Sequence, residues 1–244
     1  MAEILYKGID VSHHNGTIDW TKVKNSGIEF AIIRAGFGKN ISQKDKQFER
    51  NYIGCKENNI PVGAYWYSYA GSAAEALQEA KICLEVIKEK QFEYPILFDI
   101  EEKSQVELGK DICSEICKTF CNHLEQNGYY AGIYTFDSFA NTNIAESVKN
   151  RYTMAVARVD SKSPKYSPYD IWQYSWKGKI NGISGDVDMD YCYRDFNVIK
   201  ENGLNGFEIP VKDTDNINLK YDVNGDGKVT SEDALAILGN VVGK

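Results

Sequence analysis

The chain has 244 residues, 43% hydrophobic and 26% charged, with a formal net charge of −7 and a pI near 5.1. An acidic balance lacks the clustered Lys and Arg that phosphate backbones demand, so nucleic acid is excluded as an expected partner. No run approaches the ~18 apolar residues of a membrane span, and residues 1–10 lack the basic-then-apolar order of a secretory leader.

Short β-rich apolar runs alternate with longer amphipathic ones, the pattern of a parallel sheet with crossover helices. In chain order, strands are predicted at 5–12, 30–36, 61–68, 95–101, 129–135, 152–157, 170–174 and 187–191, with helices at 44–58, 72–90 and 111–127. Ser72 followed by Glu75 has the form of a capping box, and Gly128 is placed as a left-handed stop after the third helix. Eight strands with three long helices predict an α/β fold closed into a barrel, an open doubly wound sheet being the alternative. Polar, Gly- and Pro-rich segments separate the last three strands, so the second half of the barrel is expected to be irregular. Residues 1–198 are assigned to this catalytic barrel, 199–217 to a polar linker, and 218–244 to a small module.

There are six cysteines, Cys55, Cys83, Cys113, Cys117, Cys121 and Cys192. Cys113, Cys117 and Cys121 recur every four residues and share a helix face. That spacing suits neither disulfide geometry nor a common zinc pattern. All six are expected to be buried free thiols, packed as small hydrophobes and made in a reducing compartment.

Chemistry concentrates at strand ends. Residues 95–101 begin as a buried strand and end in acid. Alternation puts Asp99 and Glu101 on one face, with Phe98 and Ile100 on the other. In a barrel, catalytic groups stand at C-terminal strand ends. A carboxyl pair there suits glycoside cleavage: one group gives a proton to the leaving oxygen, and the other stays charged beside an oxocarbenium-like centre. Two carboxyls in a partly dry site split their pKa values, so that one is protonated near neutrality. Asp10 closes the first strand. Asp186, Asp188 and Asp190 share a face on the eighth, which neighbours the first in a closed barrel, so Asp188 is expected beside Asp10. Aromatics occupy the other strand ends: Tyr65 and Tyr67, expected inward with Trp66 outward, then Tyr134, Trp172 and Tyr174. Rings at a barrel mouth stack on apolar sugar faces.

Residues 222–233 fit a calcium loop of EF-hand type. Asp222, Asn224 and Asp226 fall at positions 1, 3 and 5, Gly227 at 6, the Lys228 carbonyl at 7 and Asp233 at 12, where Glu is usual. Ca2+ is expected here, and no cofactor is expected for catalysis. Residues 234–242 read as a short helix with an apolar stripe of Leu235, Leu238 and Val242. Self-association with a second copy is the expected cover, the barrel surface being the alternative.

Taken in order, the motifs resemble glycoside hydrolase family 25, the fungal- and bacterial-type lysozymes found in many phage endolysins. The resemblance is carried over roughly residues 5–197 by Gly8-Ile9-Asp10-Val11-Ser12-His13-His14-Asn15-Gly16 with Ile18-Asp19-Trp20, Phe30-Ala31-Ile32-Ile33-Arg34-Ala35 and Gly63-Ala64-Tyr65-Trp66-Tyr67. Asp99-Ile100-Glu101, Gly132-Ile133-Tyr134-Thr135, Trp172-Gln173-Tyr174 and Val187-Asp188-Met189-Asp190 complete it. It implies a modified (β/α) barrel of five β/α units followed by three strands with little helix. It also implies hydrolysis of the β-1,4 bond between N-acetylmuramic acid and N-acetylglucosamine, with peptidoglycan glycan strands as partner. Glu101 is then the general acid/base, Asp99 holds the substrate's N-acetyl group, and Asp10 and Asp188 complete the acidic cluster. Arg34, Tyr65, Tyr67, Tyr134, Trp172, Gln173, Tyr174 and Asp190 are the substrate-binding candidates. Many relatives have Asn at the position of Asp190. Attack by the substrate's own acetamido oxygen and attack by water with inversion both stay open. A non-catalytic glycan binder on the same barrel is one alternative. A barrel glycosidase acting on chitin-like glycan is another, although apolar residues precede Asp99 where a chitinase would carry acids. The C-terminal segment resembles one repeat of a dockerin, a module that has two. Synthesis in the cytoplasm followed by action on the cell wall, as for endolysins, or an extracellular life is the expected location.

Overall fold

The computed structural model describes residues 3–160, 162–209 and 222–223. The chain divides into two compact units, Met1–Ile209 and Pro210–Lys244. In the calcium-loop assignment, Asn224, Asp226, Lys228, Asp233 and the following helix lie outside the described residues, and Asp222 by itself defines no loop geometry.

The first unit is a closed barrel of eight strands in sequence order. They are β1 Tyr6–Val11, β2 Phe30–Phe37, β3 Val62–Tyr67, β4 Ile96–Asp99, β5 Ala131–Phe136, β6 Thr153–Ala157, β7 Ile171–Gly178 and β8 Val187–Cys192. Neighbours from β1 to β7 are parallel, whereas β8 runs antiparallel to both β7 and β1. All eight predicted strands are present, and the helices thin out after the fifth as expected. The helices are α1 Trp20–Asn25, α2 Phe48–Glu57, α3 Ala73–Ile87, α4 Lys103–Val106, α5 Lys110–Gln126, α6 Asp137–Asn143, α7 Glu146–Lys149 and α8 Val198–Glu201. Among the described residues, no helix is long and apolar enough to cross a membrane.

Alternation along each strand sorts side chains between two cores. Ile9, Val11, Ile33, Ala64, Trp66, Phe98, Ile100 and Ile133 face outward and pack under the helices. Helix α5 meets them with Cys113, Ile116, Cys117, Phe120, Cys121 and Leu124, one stripe at i, i+3, i+4 spacing. The Phe98 and Phe120 rings lie 4.3 Å apart. Burying side chains of this size contributes roughly 1.5–3 kcal/mol each. Inside the barrel, Phe30, Ile32, Tyr94, Leu97, Ala155 and Ile171 form a second core. Gly8 is required there, because a Cβ on it would stand 2.4 Å from the Phe30 ring.

Helix ends follow local chemistry. Ser72 accepts from the Glu75 N–H, while the Glu75 carboxylate takes the Gly71 N–H rather than that of Ser72. Gly128 is left-handed, with φ 81°. The predicted helix at 44–58 starts only at Phe48, because the Asp45 side chain turns inward and accepts the Gln47 N–H. Residues 199–209, polar enough to read as linker, pack against the barrel instead. Asn205 is fully buried, donates to the carbonyls of Phe92 and Tyr94, and accepts from the Tyr130 N–H.

All six cysteines are free and buried. Cys113 donates to the Gln105 carbonyl at 3.0 Å, and Cys121 to that of Gly132 at 3.6 Å. Burial pushes the Cys83 and Cys117 thiols up, away from the reactive thiolate. A thiol reagent is expected to leave native protein essentially unmodified and to find six sulfhydryls after denaturation without reductant. Fewer than six would reveal disulfides.

Candidate active site

The interior core stops short of the C-terminal ends of the parallel strands, and above it opens a cavity of about 250 Å3. Its wall carries five carboxyl groups, Asp10, Asp99, Glu101, Asp188 and Asp190, with Arg34 the one permanently charged cation. Tyr65, Tyr67, Tyr134 and Gln173 share the lining. The predicted cluster is therefore brought together by strands far apart in sequence. Trp172 and Tyr174 are not part of it. They alternate with the inward Gln173 and so face outward, where the Trp172 indole donates to the Arg158 carbonyl at 2.8 Å and Tyr174 stacks on Tyr191 at 4.0 Å. Asp186 also stays outside, paired with Lys179.

The antiparallel course of β8 decides which of its acids does what. Asp188, near the start of β8, pairs in register with Asp10, while Asp190 lies one layer deeper, opposite Gly8 and Gln173. A parallel eighth strand would have put Asp190 nearer the mouth. The register sets Asp10 and Asp188 side by side, and Asp188 is pushed up to about 6, chiefly by burial, with its interaction with Asp10 opposing. Asp10 is raised by burial first and then by Asp190 and Asp188, although a hydrogen bond from Gln173 opposes this.

Gln173 has one possible orientation. Its Oε1 accepts from Tyr134 Oη at 2.9 Å and Trp176 Nε1 at 2.7 Å, so its Nε2 must be the donor to Asp10 Oδ2. Trp176 had no sequence signal, because bulges at Ser175 break the alternation that would have marked it.

At the end of β4, Asp99 and Glu101 point in while Phe98 and Ile100 point out, as alternation predicts. Glu101 is pushed up to about 7 by burial, then by the charges of Glu102 and Asp188. Asp99 is raised by burial and by Glu101, with Arg34 opposing, and its Oδ1 is buried with no hydrogen-bond partner. Glu102 accepts from Tyr67 Oη at 2.7 Å and so fixes that ring at the wall.

A bulge between Arg34 and Gly36 aims the guanidinium at the rim. Arg34 Nε donates to Asp45 Oδ2 at 2.8 Å. Asp45 also takes the Gln47 and His13 N–H groups and contacts His13 Nδ1 at 2.9 Å. Burial would raise the Asp45 carboxyl, but these bonds together hold it below its ordinary value. Asp45 lies far from every motif, and nothing in the sequence marked it. Among the described residues, no cluster of His, Cys, Asp and Glu is arranged to hold a metal ion.

Asp190 is 3% exposed, its Oδ2 is unpartnered, and burial followed by Asp188 raises it well above its ordinary 3.8. The folded state thus binds this proton more tightly than the unfolded chain. Stability is lost as pH rises from about 4 towards the folded-state pKa. Asp190→Asn removes that loss, so its Tm should exceed the parent's at pH 7 and match it within about 2 °C near pH 3.5. An equal gap at both pH values would show that Asp190 titrates alike in both states.

The profile of the family described as Glycosyl hydrolases family 25 matches residues 9–183, from β1 to the turn after β7. YegX of Escherichia coli O6:H1 is 30% identical over 220 residues, 87% of this chain and 77% of its own length. The autolytic lysozyme of Clostridium acetobutylicum is 30% identical over 186 residues, 75% of this chain and 55% of its own. Among solved structures, the CTP1L endolysin superposes with a TM-score of 0.71 at 26% identity, covering 80% of this chain and 70% of that one. The profile match covers the Asp10 end of β1 and all of β2 to β7, well over half of the chain, and the chain belongs to glycosyl hydrolase family 25.

Proposed function

We propose that this glycoside hydrolase is a lysozyme that cleaves the β-1,4 bond between N-acetylmuramic acid and N-acetylglucosamine in bacterial peptidoglycan. The observation that carries the reading is a carboxyl group held near pKa 7, Glu101, beside a second carboxyl whose buried Oδ1 is unpartnered, Asp99. The kinship to an autolytic lysozyme and an endolysin supports it.

Glu101 gives its proton to the glycosidic oxygen as the C–O bond breaks. Asp99 Oδ1 accepts the N–H of the acetamido group and turns the acetamido oxygen towards the anomeric carbon. The positive charge developing there sits among carboxylates and is stabilised by them. The acetamido oxygen or a water then bonds to the anomeric carbon. Where the acetamido oxygen attacks, Glu101, now ionised, draws the proton from the water that then opens the cyclic intermediate. Where water attacks directly from the opposite face, a second carboxylate of the cluster takes its proton. Burial raises Asp10 and Asp188, which limits the negative charge facing Glu101. The place of action in this reading is the cell wall. Calcium binding by residues 222–233 and self-association through that module belong to the same proposal.

Glu101→Gln should fold and bind glycan but lose all but about 10−2 to 10−4 of the parent turnover. In the parent, kcat/KM is expected to fall as pH rises through about 7, where Glu101 gives up its proton. Digested peptidoglycan should gain muramic acid reducing ends. Glucosamine ends would reassign the bond, and a Glu101→Gln variant retaining a tenth of the parent rate would remove Glu101 from the role. For the module, light scattering should show a larger species with calcium than with chelator. A monomer in both rules out self-pairing.

A further inference from the structure

Beside the acidic cavity lies a second hollow of opposite character. It is lined by His13, His14, Arg34, Phe37, Tyr67 and Tyr69, and shares His14, Arg34 and Tyr67 with the first. No carboxyl group faces it. Asp45 is fully buried behind Arg34 and His13 and already holds bonds from both, while Glu102 and Glu79 are taken by the Tyr67 hydroxyl and the Tyr69 N–H. Asp45 therefore anchors the cation without presenting its own charge. Arg34 is clamped from two sides, because its guanidinium also lies over the Phe37 ring at 5.6 Å. Phe37 meets Tyr69 edge-on at 6.3 Å, and Tyr69 meets Tyr67 at 5.2 Å, so the aromatic wall is continuous. Tyr69 is 53% exposed and offers a ring with a free face.

Two adjoining hollows with contrasting walls suit a branched ligand. The acidic cavity can take a neutral sugar at the scissile bond. The second offers a guanidinium, imidazole rings and aromatic faces, which favour carboxylates and flat amide groups. On the muramidase reading, on which this inference rests, the glycan itself branches. Each muramic acid carries a lactyl ether that is amide-linked to a short peptide bearing carboxylates. We propose that the hollow between His13 and Tyr69 is the subsite for this acidic peptide branch. Arg34 and His13 face its carbonyl and carboxylate oxygens, and Phe37 and Tyr69 pack on its peptide planes. The enzyme would then distinguish peptide-bearing glycan from bare glycan next to the bond it cuts.

Tyr69 is the position to vary, because it is exposed and lies outside the acidic cavity. The full-length parent, Tyr69→Ala, Tyr69→Glu and Tyr69→Lys are compared on two substrates: intact peptidoglycan, and the same glycan stripped of peptides by an amidase. On intact peptidoglycan, kcat/KM should fall about 3–10-fold for Tyr69→Ala, the range expected from one lost aromatic packing contact. It should fall further for Tyr69→Glu, which repels the branch, and stand above the Ala value for Tyr69→Lys. On stripped glycan all four proteins should agree within about twofold. Equal losses on both substrates, or no loss on either, would overturn the peptide subsite while leaving the muramidase reading intact. A parent that cuts neither substrate would overturn both.

Discussion

Five carboxyl groups share one barrel mouth with a single guanidinium, and they cannot all be ionised there. Like charges at this spacing repel strongly once water is excluded, so the site persists by retaining protons. Burial raises Asp10, Asp188 and Asp190 together and so favours their protonated forms. Gln173 supplies an N–H to Asp10 from a fixed direction, because Tyr134 and Trp176 occupy its carbonyl. The raised Glu101 follows from the same crowding, by burial first and then by Glu102 and Asp188. The proposed proton donor thus depends on the whole cluster, even though only Glu101 is required to give up its proton.

The fold makes such crowding tolerable by separating two jobs. The outward faces of the strands and the stripes of the helices bury apolar area and stabilise the unit, leaving the mouth free to be electrostatically unfavourable. Reversing β8 places Asp188 at the rim beside Asp10 and Asp190 beneath it. The bulge in β2 does the equivalent for Arg34, which Asp45 then anchors. Each device works on a single side chain, and each depends on a neighbour remote in sequence. The contrast between the acidic cavity and the cationic, aromatic hollow beside it has the same origin: Asp45 is turned inward, beneath the guanidinium, instead of lining the surface.

Local periodicity made much of this legible. The apolar run before Asp99 marked a buried strand, and its alternation put Asp99 and Glu101 inward, as found. The same rule placed Tyr65 and Tyr67 inward and Trp66 outward. It also forbids Trp172, Gln173 and Tyr174 from lining one cavity together, and the structure resolves that conflict in favour of Gln173. Trp176 escaped because the bulges at Ser175 change the period, and Asp45 because one acid in a polar stretch looks like any solvated one. Residues 199–209 read as linker by composition, yet the Asn205 side chain substitutes for missing backbone partners beneath the barrel.

By itself the sequence determined the strand and helix inventory, the inward face of each regular strand and the ordered motifs that mark the family. These properties depend on residues two to four positions apart, and such spacing is written in the chain. The tertiary structure alone decided the direction of β8, the depth order of Asp188 and Asp190, the clamp on Gln173 and the burial of Asp45 behind Arg34. Those depend on which distant strands become neighbours and which groups lose water when the barrel closes. Protonation follows from that loss of water, so the chemistry of the site emerges only when the eighth strand meets the first.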